Sequence, residues 1–509
     1  MERRSAGGGR EDPMLSAWKP ERRLRARRTP TTWLACLHYP VGTVAVSRRQ
    51  LLQAALAGPA SRAALPGAER DSYGGWTKKR FKKTGYFRME RDDRWWMVTP
   101  EGNAFLSFGV NHIHGGWWKA PYNGRFWAAK FGVSRPSDPG FDAALRARLT
   151  SLLPELGFNS VGVHSDLPIL NTPRPFVPYV ARLVLIDIPH WKTPGPDDFL
   201  DVFDRAFEEH AQRVARQEAL PRRNDPMLLG YALTDCPIFT DWDAKERGDT
   251  LYGAPRPALP TFPRKLRNLD GSRPGKRAYV ETVRELYRDS IADFNASYGS
   301  SFGSFDSLAA AADWRPRADP ANGYETRDNT VFLLKVVERY YQVALDSIRR
   351  YDPNHLFFGD KLNGNTDTAD TVVGVTSRFT DLVFYQAYGR YGWVEPSLDR
   401  WSRISGKPLF NGDGSYGTPG EHMPRPYGPL AADQRERAQW TREHAEKAFS
   451  RPDFVGWSYC GLIDSWTSLS ERKQLRQHAG MMTPTGEFHG PMRDVVREIG
   501  DRLYEIAGS

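Results

Sequence analysis

The sequence contains little cysteine. Cys36, Cys236 and Cys460 are the three cysteines among 509 residues. So few thiols at such wide spacing exclude the disulfide framework of a small secreted domain and the paired-cysteine pattern of a structural zinc site. The spacing leaves a bond between Cys236 and Cys460 open.

Long apolar runs and nucleotide-binding motifs are missing too. No segment is long and apolar enough for a transmembrane helix, so we expect no membrane span. The first buried strand ends in Gly109-Val110-Asn111-His112, and neither G-x-G-x-x-G nor G-x-x-x-x-G-K-[ST] follows it. No H-E-x-x-H pattern occurs. We therefore expect no cofactor and no metal.

The positive charge of the chain is concentrated at its beginning. The formal net charge is +10, but residues 1–50 alone hold 11 basic and 4 acidic residues. The remainder is close to neutral. One basic run, KKRFKK at 78–83, follows, and it is typical of a solvated face. The charge pattern therefore does not predict a nucleic-acid partner.

Residues 1–68 have the features of a leader. SRRQLL at 47–52 precedes an alanine-rich, mildly apolar stretch, as in a bacterial twin-arginine export signal. Residues 1–40 are rich in arginine and lack a period, which predicts disorder. We expect translation to start near Val41 or Val44, cleavage between Ala57 and Asp71, and export by the twin-arginine machinery to the periplasm or the medium.

Residues 69–509 are predicted to form one domain, a (β/α)8 barrel. A hairpin with Asp92-Asp93 in its turn comes first. Eight apolar runs then alternate with helical stretches, a pattern that favours a closed parallel barrel. The runs are 105–111, 160–165, 181–188, 227–235, 355–362, 382–388, 408–414 and 454–461. The predicted helices include 143–157, 199–219, 332–351 and 434–450. The long interval 236–354 is predicted to be an insertion after the fourth strand.

Nearly every predicted strand ends in a residue that can ionise or hydrogen-bond. In such barrels the carboxyl ends of the strands carry the chemistry. These residues are Asn111-His112, His164-Asp166, Asp187, Asp235, Asp360-Lys361, Tyr385-Tyr388, Asn411-Asp413, and Tyr459 with Asp464. Any one of them could be a helix cap or a loop-bonding group instead. Their recurrence across strands predicts a polar ring around a cleft.

Several stretches resemble the agarase-like glycoside hydrolases, the family-50 β-agarases and their relatives in clan A. They are GYFRMERDDRWWMVTPEGNAFLSFGVNH, FNASYGSSFGSFDSL, RYDPNHLFFGDKLNGN and FVGWSYCGLIDSW, and the resemblance covers about residues 85–490. It implies a (β/α)8 glycosidase that cleaves β-glycosidic bonds of a polysaccharide or its oligosaccharides. A galactan such as agar is the family's example.

The resemblance also implies two carboxylates, an acid/base after strand four and a nucleophile after strand seven, each usually a Glu. This sequence departs from that pattern. Thr234-Asp235-Cys236-Pro237 places Asp235 where the family has Asn and Cys236 where it has the acid/base Glu. At strand seven, Asp413 stands between two glycines. Shorter side chains widen the gap between carboxylates, so both a retaining and an inverting course are open.

Three hypotheses follow, and we favour the first. In the first, Asp235 and Asp413 are the catalytic pair. In the second, another acid such as Asp360 or Asp241 has taken one role. In the third, catalysis is lost and the barrel binds carbohydrate. We interpret Cys236 as a small buried thiol.

Other residues are predicted to bind the substrate. They are Asn111, His112, His164, Asp360, Tyr385 and Trp457. The first three would hold sugar hydroxyls, and Tyr385 would bond to the nucleophile. Trp457 and the pair Trp117-Trp118 are candidate stacking platforms, with core packing as the alternative for Trp457.

Overall fold

The computed structural model describes residues 69–185, 201–237, 239, 250–251, 254–255, 262–312, 314, 323–365, 368–420, 423, 426, 428–466 and 477–508. The predicted leader with its twin-arginine signal lies outside these residues. So do two acids of the predicted ring and its alternatives, Asp187 and Asp241. No helix within the described ranges is long and apolar enough to cross a membrane.

A four-stranded antiparallel sheet begins the domain. Its strands are β1 (Trp76–Arg80), β2 (Arg88–Arg91), β3 (Trp95–Val98) and β4 (Asn103–Phe105), in the order β1-β4-β3-β2. The predicted hairpin is confirmed, because β2 and β3 pair from Arg91↔Trp95 outward. Buried Arg94 donates to the carbonyls of Phe449, Ala507, Arg451 and Phe454. The sheet is thereby fixed to the start of the last barrel strand, to the chain before it and to the C-terminal helix.

Eight parallel strands close into the predicted barrel. They are β5 (Ser107–Val110), β6 (Ser160–Val161), β7 (Tyr179–Arg182), β8 (Leu228–Asp235), β11 (Leu356–Asn363), β12 (Val383–Gln386), β13 (Leu409–Gly414) and β14 (Phe454–Tyr459). Each pairs with the next, and β14 pairs with β5. Every predicted run overlaps one of these strands, although β7 begins two residues before its predicted run and β11 ends one residue after its own. The predicted barrel fold is therefore confirmed.

Helices surround the barrel and connect its strands. They are α1 (Gly115–Trp118), α2 (Gly124–Lys130), α3 (Gly140–Glu155), α4 (Leu167–Asn171), α5 (Arg205–Glu218), α6 (Phe262–Arg267), α7 (Pro274–Leu286), α8 (Ile291–Tyr298), α9 (Phe305–Ala310), α10 (Gly323–Arg349), α11 (Thr368–Thr376), α12 (Tyr391–Ser405), α13 (Gln434–Phe449) and α14 (Gly490–Gly508). All four predicted helices are present as α3, α5, α10 and α13.

The interval between β8 and β11 carries the predicted insertion. Its described part holds the two-residue strands β9 (Thr250–Leu251) and β10 (Ala254–Pro255), followed by α6 to α9. A second short pair, β15 (Ser465–Trp466) and β16 (Gln477–His478), follows the last barrel strand. This second pair lies where strand ends of a (β/α)8 barrel carry function.

Aromatic rings fill the barrel interior. Phe358, Phe384 and Phe410 come from three adjacent strands, with ring centroids 5.4–5.6 Å apart. A Cβ at Gly412 would meet the Phe384 ring, so the glycine admits a large neighbour. The interior is therefore a packed core, and the residues available for catalysis or binding lie at the mouth above it.

A bulge in β11 decides which side chains enter that mouth. Regular alternation from inward-facing Phe358 would point Asp360 inward and Lys361 outward. Gly359 has φ +74°, and the pairing of β11 with β8 shifts register on both sides of it. A bulge of this kind re-aims the following side chains. Asp360 consequently faces helix α10, and Lys361 points into the barrel.

Candidate active site

A buried lysine joins three strand ends at the mouth of the barrel. The Nζ atom of Lys361 lies 2.9 Å from Asp235 Oδ1 and 2.7 Å from Asp413 Oδ2. It also lies 3.1 Å from His164 Nε2. An ammonium group has three protons to donate. Asp235, Asp413 and His164 are the acceptors that match those three protons.

The two carboxylates keep this lysine charged. Burial alone would lower the pKa of Lys361, whose side chain is 1% exposed. The negative charges of Asp235 and Asp413 outweigh burial, so the pKa is raised above 10.5. Lys361 is therefore a fixed positive charge between two acids, and it is not an amine nucleophile.

His164 is neutral at pH 7. Burial lowers its pKa well below 6.5, and the charge of Lys361 lowers it further. A neutral imidazole can accept the Lys361 proton at Nε2. The same Nε2 lies 3.2 Å from Asp235 Oδ2. Because Nε2 has one lone pair, it accepts either from Lys361 or from a proton on Asp235, and not from both at once.

A stack of rings forms one wall of the mouth. His112 lies face to face with His164, with centroids 4.7 Å apart, and with Trp117 on its other side at 4.9 Å. His112 Nε2 is 3.7 Å from Asp413 Oδ2. Trp117 is partly exposed. The stack thus extends from the buried carboxylates to the solvent.

Three residues at the strand ends have left-handed backbone. His112, His164 and Cys236 have φ of 57°, 60° and 52°. Residues other than glycine rarely adopt this region, and such outliers concentrate at functional sites. Here they follow β5, β6 and β8, where His112 and His164 stack on each other beside Asp413 and Asp235.

Asn111 lies deeper than the predicted sugar contact would require. It is fully buried, and its Nδ2 donates to the Gly412 carbonyl at 2.6 Å. That carbonyl directly precedes Asp413. Asn111 therefore connects the end of β5 to the end of β13 and helps to position Asp413.

Three predicted substrate-binding residues are not brought to the mouth. Asp360 Oδ1 accepts from the Thr234 amide at 2.8 Å, and the Asp360 carboxylate faces Tyr340 of α10. The Tyr385 ring packs against Trp401 of α12 at 5.0 Å. The Trp457 ring packs against His444 of α13 at 4.5 Å. All three side chains face the helices, because alternation or the bulge points them outward.

Cys236 and Trp118 also have structural surroundings. Cys236 is buried, and its amide donates to the Lys361 carbonyl at 2.9 Å. No disulfide joins it to Cys460. Trp118 is buried against Trp127, with centroids 4.5 Å apart. Of the predicted tryptophan pair, Trp117 alone borders the mouth.

Sequence reasoning placed Lys361 at a strand end without assigning it a role. His478 and Cys460 were missed as neighbours of the site. His478 lies on β16, and its ring is 4.5 Å from His112 and 4.8 Å from Trp117. The adjacent residues Asp360 and Lys361 are the sequence signal for a charged group at this strand end. The sequence does not show which of the two side chains points into the barrel.

Comparison with known proteins agrees with this architecture. No protein-family model matches the sequence. β-Agarase B of Vibrio sp. (strain JT0107) is 22% identical over 515 residues, and the match covers 88% of this chain and 51% of the relative. The chain resembles the β-agarases. β-Agarase A of the same strain is 23% identical, with 82% of this chain and 45% of the relative covered. The chain thus spans about half the length of the curated relatives it matches.

Solved structures share the fold. The structure of an exo-β-agarase superposes with a TM-score of 0.71 at 20% identity, covering 91% of this chain and 70% of that one. A crystal structure of an agarase gives a TM-score of 0.69 at 18% identity, covering 87% and 68%. These comparisons confirm the resemblance to agarase-like glycoside hydrolases that the sequence predicted.

Proposed function

We propose that this protein is a glycoside hydrolase that cleaves β-glycosidic bonds of an agar-type polysaccharide or of its oligosaccharides. The resemblance to β-agarases supports the substrate class. The observation that carries the chemistry is the pair Asp235 and Asp413 at the ends of the fourth and seventh barrel strands. Glycosidases of this fold use two carboxyl groups on opposite sides of the scissile bond.

The spacing of the pair favours a retaining mechanism. Asp235 Oδ1 and Asp413 Oδ2 both contact Lys361 Nζ, so these oxygens are less than about 6 Å apart. Retaining enzymes place their carboxyl groups at about 5–5.5 Å and inverting enzymes at about 6.5–9.5 Å. Lys361 thus holds the two aspartates close together.

Asp413 has the surroundings of a nucleophile. Its side chain is fully buried and accepts from Lys361 at 2.7 Å. The ammonium stabilises the negative charge that attack on an anomeric carbon requires. In our proposal Asp413 forms the glycosyl ester, and water then hydrolyses it.

Asp235 has the surroundings of the acid/base. One oxygen accepts from Lys361, and the other faces neutral His164 at 3.2 Å. A proton at this contact removes the repulsion between two lone pairs. In our proposal that proton passes from Asp235 to the leaving oxygen.

Trp117 and His112 form the proposed wall for a sugar ring. A partly exposed indole beside an imidazole offers a face for stacking and a ring nitrogen for a hydroxyl. His164 is enclosed between His112, Lys361 and Asp235. Its proposed role is therefore to hold the acid/base and not to bind a hydroxyl.

We also propose that the protein is exported through the twin-arginine pathway. Arg48-Arg49 followed by the alanine-rich stretch supports this. The test is cell fractionation of the natural host strain with an Arg48→Lys/Arg49→Lys variant. Retention of the variant in the cytoplasm is expected, whereas equal export of both forms would contradict the proposal.

A second function is favoured by one observation. Cys236 stands where the related enzymes are expected to carry the acid/base Glu, and Lys361 occupies the space between the two carboxylates. A barrel that binds agar-type oligosaccharides without cleaving them would tolerate both features. This is the competing function that the activity test must separate.

The test is release of reducing ends from agarose, agaro-oligosaccharides, other β-linked polysaccharides and aryl glycosides. Asp413→Asn and Asp235→Asn are expected to lower kcat at least about a thousandfold. Asp360→Asn is the matched control, because it changes a buried acid that faces α10 instead of the mouth. Hydrolysis that survives in both mouth variants would refute the pair. Binding of agaro-oligosaccharides with no hydrolysis by the wild type would establish the second function.

A further inference from the structure

A thiol and two imidazoles meet beside the carboxylate pair. Cys460 follows β14, His478 lies on β16 and His112 follows β5. One potential ligand atom from each residue lies within 4.8 Å of the others. Cys460 Sγ and His478 Nδ1 are 3.2 Å apart. Thiolate and imidazole are the ligands that soft or borderline divalent metals prefer.

The geometry is close to that of a three-ligand metal site. Zinc binds sulfur at about 2.3 Å and imidazole nitrogen at about 2.0–2.1 Å in a tetrahedron. Ligand atoms of such a site are about 3.5 Å apart, by trigonometry on those bond lengths. The Cys460–His478 pair already has this spacing. The three ligand atoms lie within 4.8 Å of one another, so His112 has to approach by at most about 1.3 Å to complete this geometry.

A second group of ligand types shares His112 but is a poorer cation site. His164 and Asp413 lie close to His112 as well. Both are already bonded to the Lys361 ammonium, at 3.1 Å and 2.7 Å. A divalent cation there would face a fixed positive charge in a buried setting. The thiol side of His112 is therefore the side on which a metal is stabilised.

We propose that His112, Cys460 and His478 bind a divalent transition metal of the Zn²⁺ type, with the fourth position open to water. Nothing in the proposed hydrolytic mechanism uses this metal, so the inference stands apart from the proposed function. His112 belongs both to the metal site and to the stack that walls the mouth. Metal binding draws His112 toward Cys460 and away from Asp413.

The cluster has no sequence signature, because its ligands come from three separate elements. His112 and His114 are two residues apart, yet His114 Nδ1 accepts the Gly116 amide at the start of α1 and is exposed. Spacing along the sequence therefore suggests His112 and His114 as a ligand pair, whereas His112 lies close to Cys460 and His478 in the structure. The barrel topology brings together the residues that qualify.

Cobalt(II) is the probe, since it replaces zinc and gives absorption that reports a thiolate ligand. Titration of the full-length wild type with Co²⁺ is expected to produce a saturable thiolate-to-cobalt band with one ion per chain. Zn²⁺ is expected to abolish the band, and metal binding should release the thiol proton. A change in tryptophan fluorescence should accompany binding, because Trp117 contacts both His112 and His478.

Two variants separate this site from surface binding. Cys460→Ser should abolish the thiolate band. His478→Gln keeps the thiol and should weaken Co²⁺ binding at least about a hundredfold, since even outer-shell changes cost 10–100-fold. His114→Gln and Cys236→Ser are matched controls, an exposed histidine and a second buried thiol, and should bind as the wild type does.

The proposal is overturned if the folded wild type gives no thiolate band, or if the band persists in Cys460→Ser. It is also overturned if Cys236→Ser removes the band as fully as Cys460→Ser does. Should Cys460→Ser fail to fold, as judged by circular dichroism, His478→Gln decides. Unchanged Co²⁺ affinity in that variant would refute the site.

Discussion

The mouth of the barrel and the shell between strands and helices both contain buried polar groups. At the mouth, Asp235, Asp413 and His164 converge on one ammonium. In the shell, the Asp360 carboxylate faces Tyr340 of α10, and the Tyr385 ring packs against Trp401 of α12. Shell groups connect the strands to the helices and stabilise the fold. Mouth groups place opposite charges side by side at the ends of the barrel strands.

One strand shows how finely the two regions are divided. Asp360 and Lys361 are neighbours in sequence, both are buried, and both follow the same apolar run. The bulge at Gly359 points the acid to the shell and the base to the mouth. Position at a strand end is therefore insufficient to assign a catalytic role, and the face of the strand decides.

Loss of the bridging lysine should have the largest effect. Lys361→Met leaves two buried carboxylates without their counter-charge, which repel each other and favour uptake of a proton. The free energy of unfolding should fall by about 3–5 kcal/mol, as when one partner of a buried ion pair is removed. Hydrolysis should fall at least about a hundredfold, and the acidic limb of its pH profile should move to higher pH. Chemical denaturation and initial rates measure both.

Lys361→Arg is the control for that variant. Lys361→Arg keeps the positive charge but changes the shape of the side chain. The acidic limb of its pH profile should therefore stay near that of the wild type. If Lys361→Met keeps wild-type stability, activity and pH profile, the lysine does not organise the mouth. The charged groups at the mouth would then be no more important for activity than the buried polar groups of the shell.

A shell acid should affect stability through pH and leave activity unchanged. Burial raises the pKa of Asp360 from 3.8 to about 6, because hydrogen bonds from Tyr341 and Thr234 compensate only in part. The folded protein thus binds this proton more tightly than the unfolded chain does. Asp360 contributes stability that is complete below about pH 4 and is lost as pH rises through about 6.

Asp360→Asn should remove that dependence. The difference in unfolding free energy between wild type and variant should change by up to about 3 kcal/mol between pH 4 and pH 7, at 1.36 kcal/mol per pKa unit. Activity should stay within a few-fold of the wild type. A flat difference across this range, or a thousandfold loss of activity, would place Asp360 with the mouth.

The smallest effect is expected for a shell tyrosine. The Tyr385 hydroxyl is buried and has no hydrogen-bond partner among the described residues. Tyr385→Phe removes a hydroxyl that makes no hydrogen bond to the described residues, so the free energy of unfolding should change by less than about 1 kcal/mol. The rate of hydrolysis should be unchanged. A large loss of kcat with intact folding would show that Tyr385 reaches Asp413 in the working enzyme.

The sequence predicted the barrel well because apolar runs and the helical stretches between them are local features of the sequence. Each of the eight strands overlaps a predicted run, and Asp235, Asp413, His112 and His164 met as expected from strand ends. Asp360, Tyr385 and Trp457 were assigned by the same rule, yet they face helices. A bulge depends on pairing with a neighbouring strand, here β11 with β8, and a linear pattern does not contain it. The lysine bridge and the Cys460–His478 contact are long-range for the same reason.

The stereochemical course of hydrolysis tests the central claim most directly. The claim is that Asp235 and Asp413, held less than about 6 Å apart by Lys361, act as a pair on one β-glycosidic bond. Proton NMR of an agaro-oligosaccharide digest in its first minutes reports the anomer released before mutarotation. The account predicts the β-anomer first. Release of the α-anomer first would contradict it.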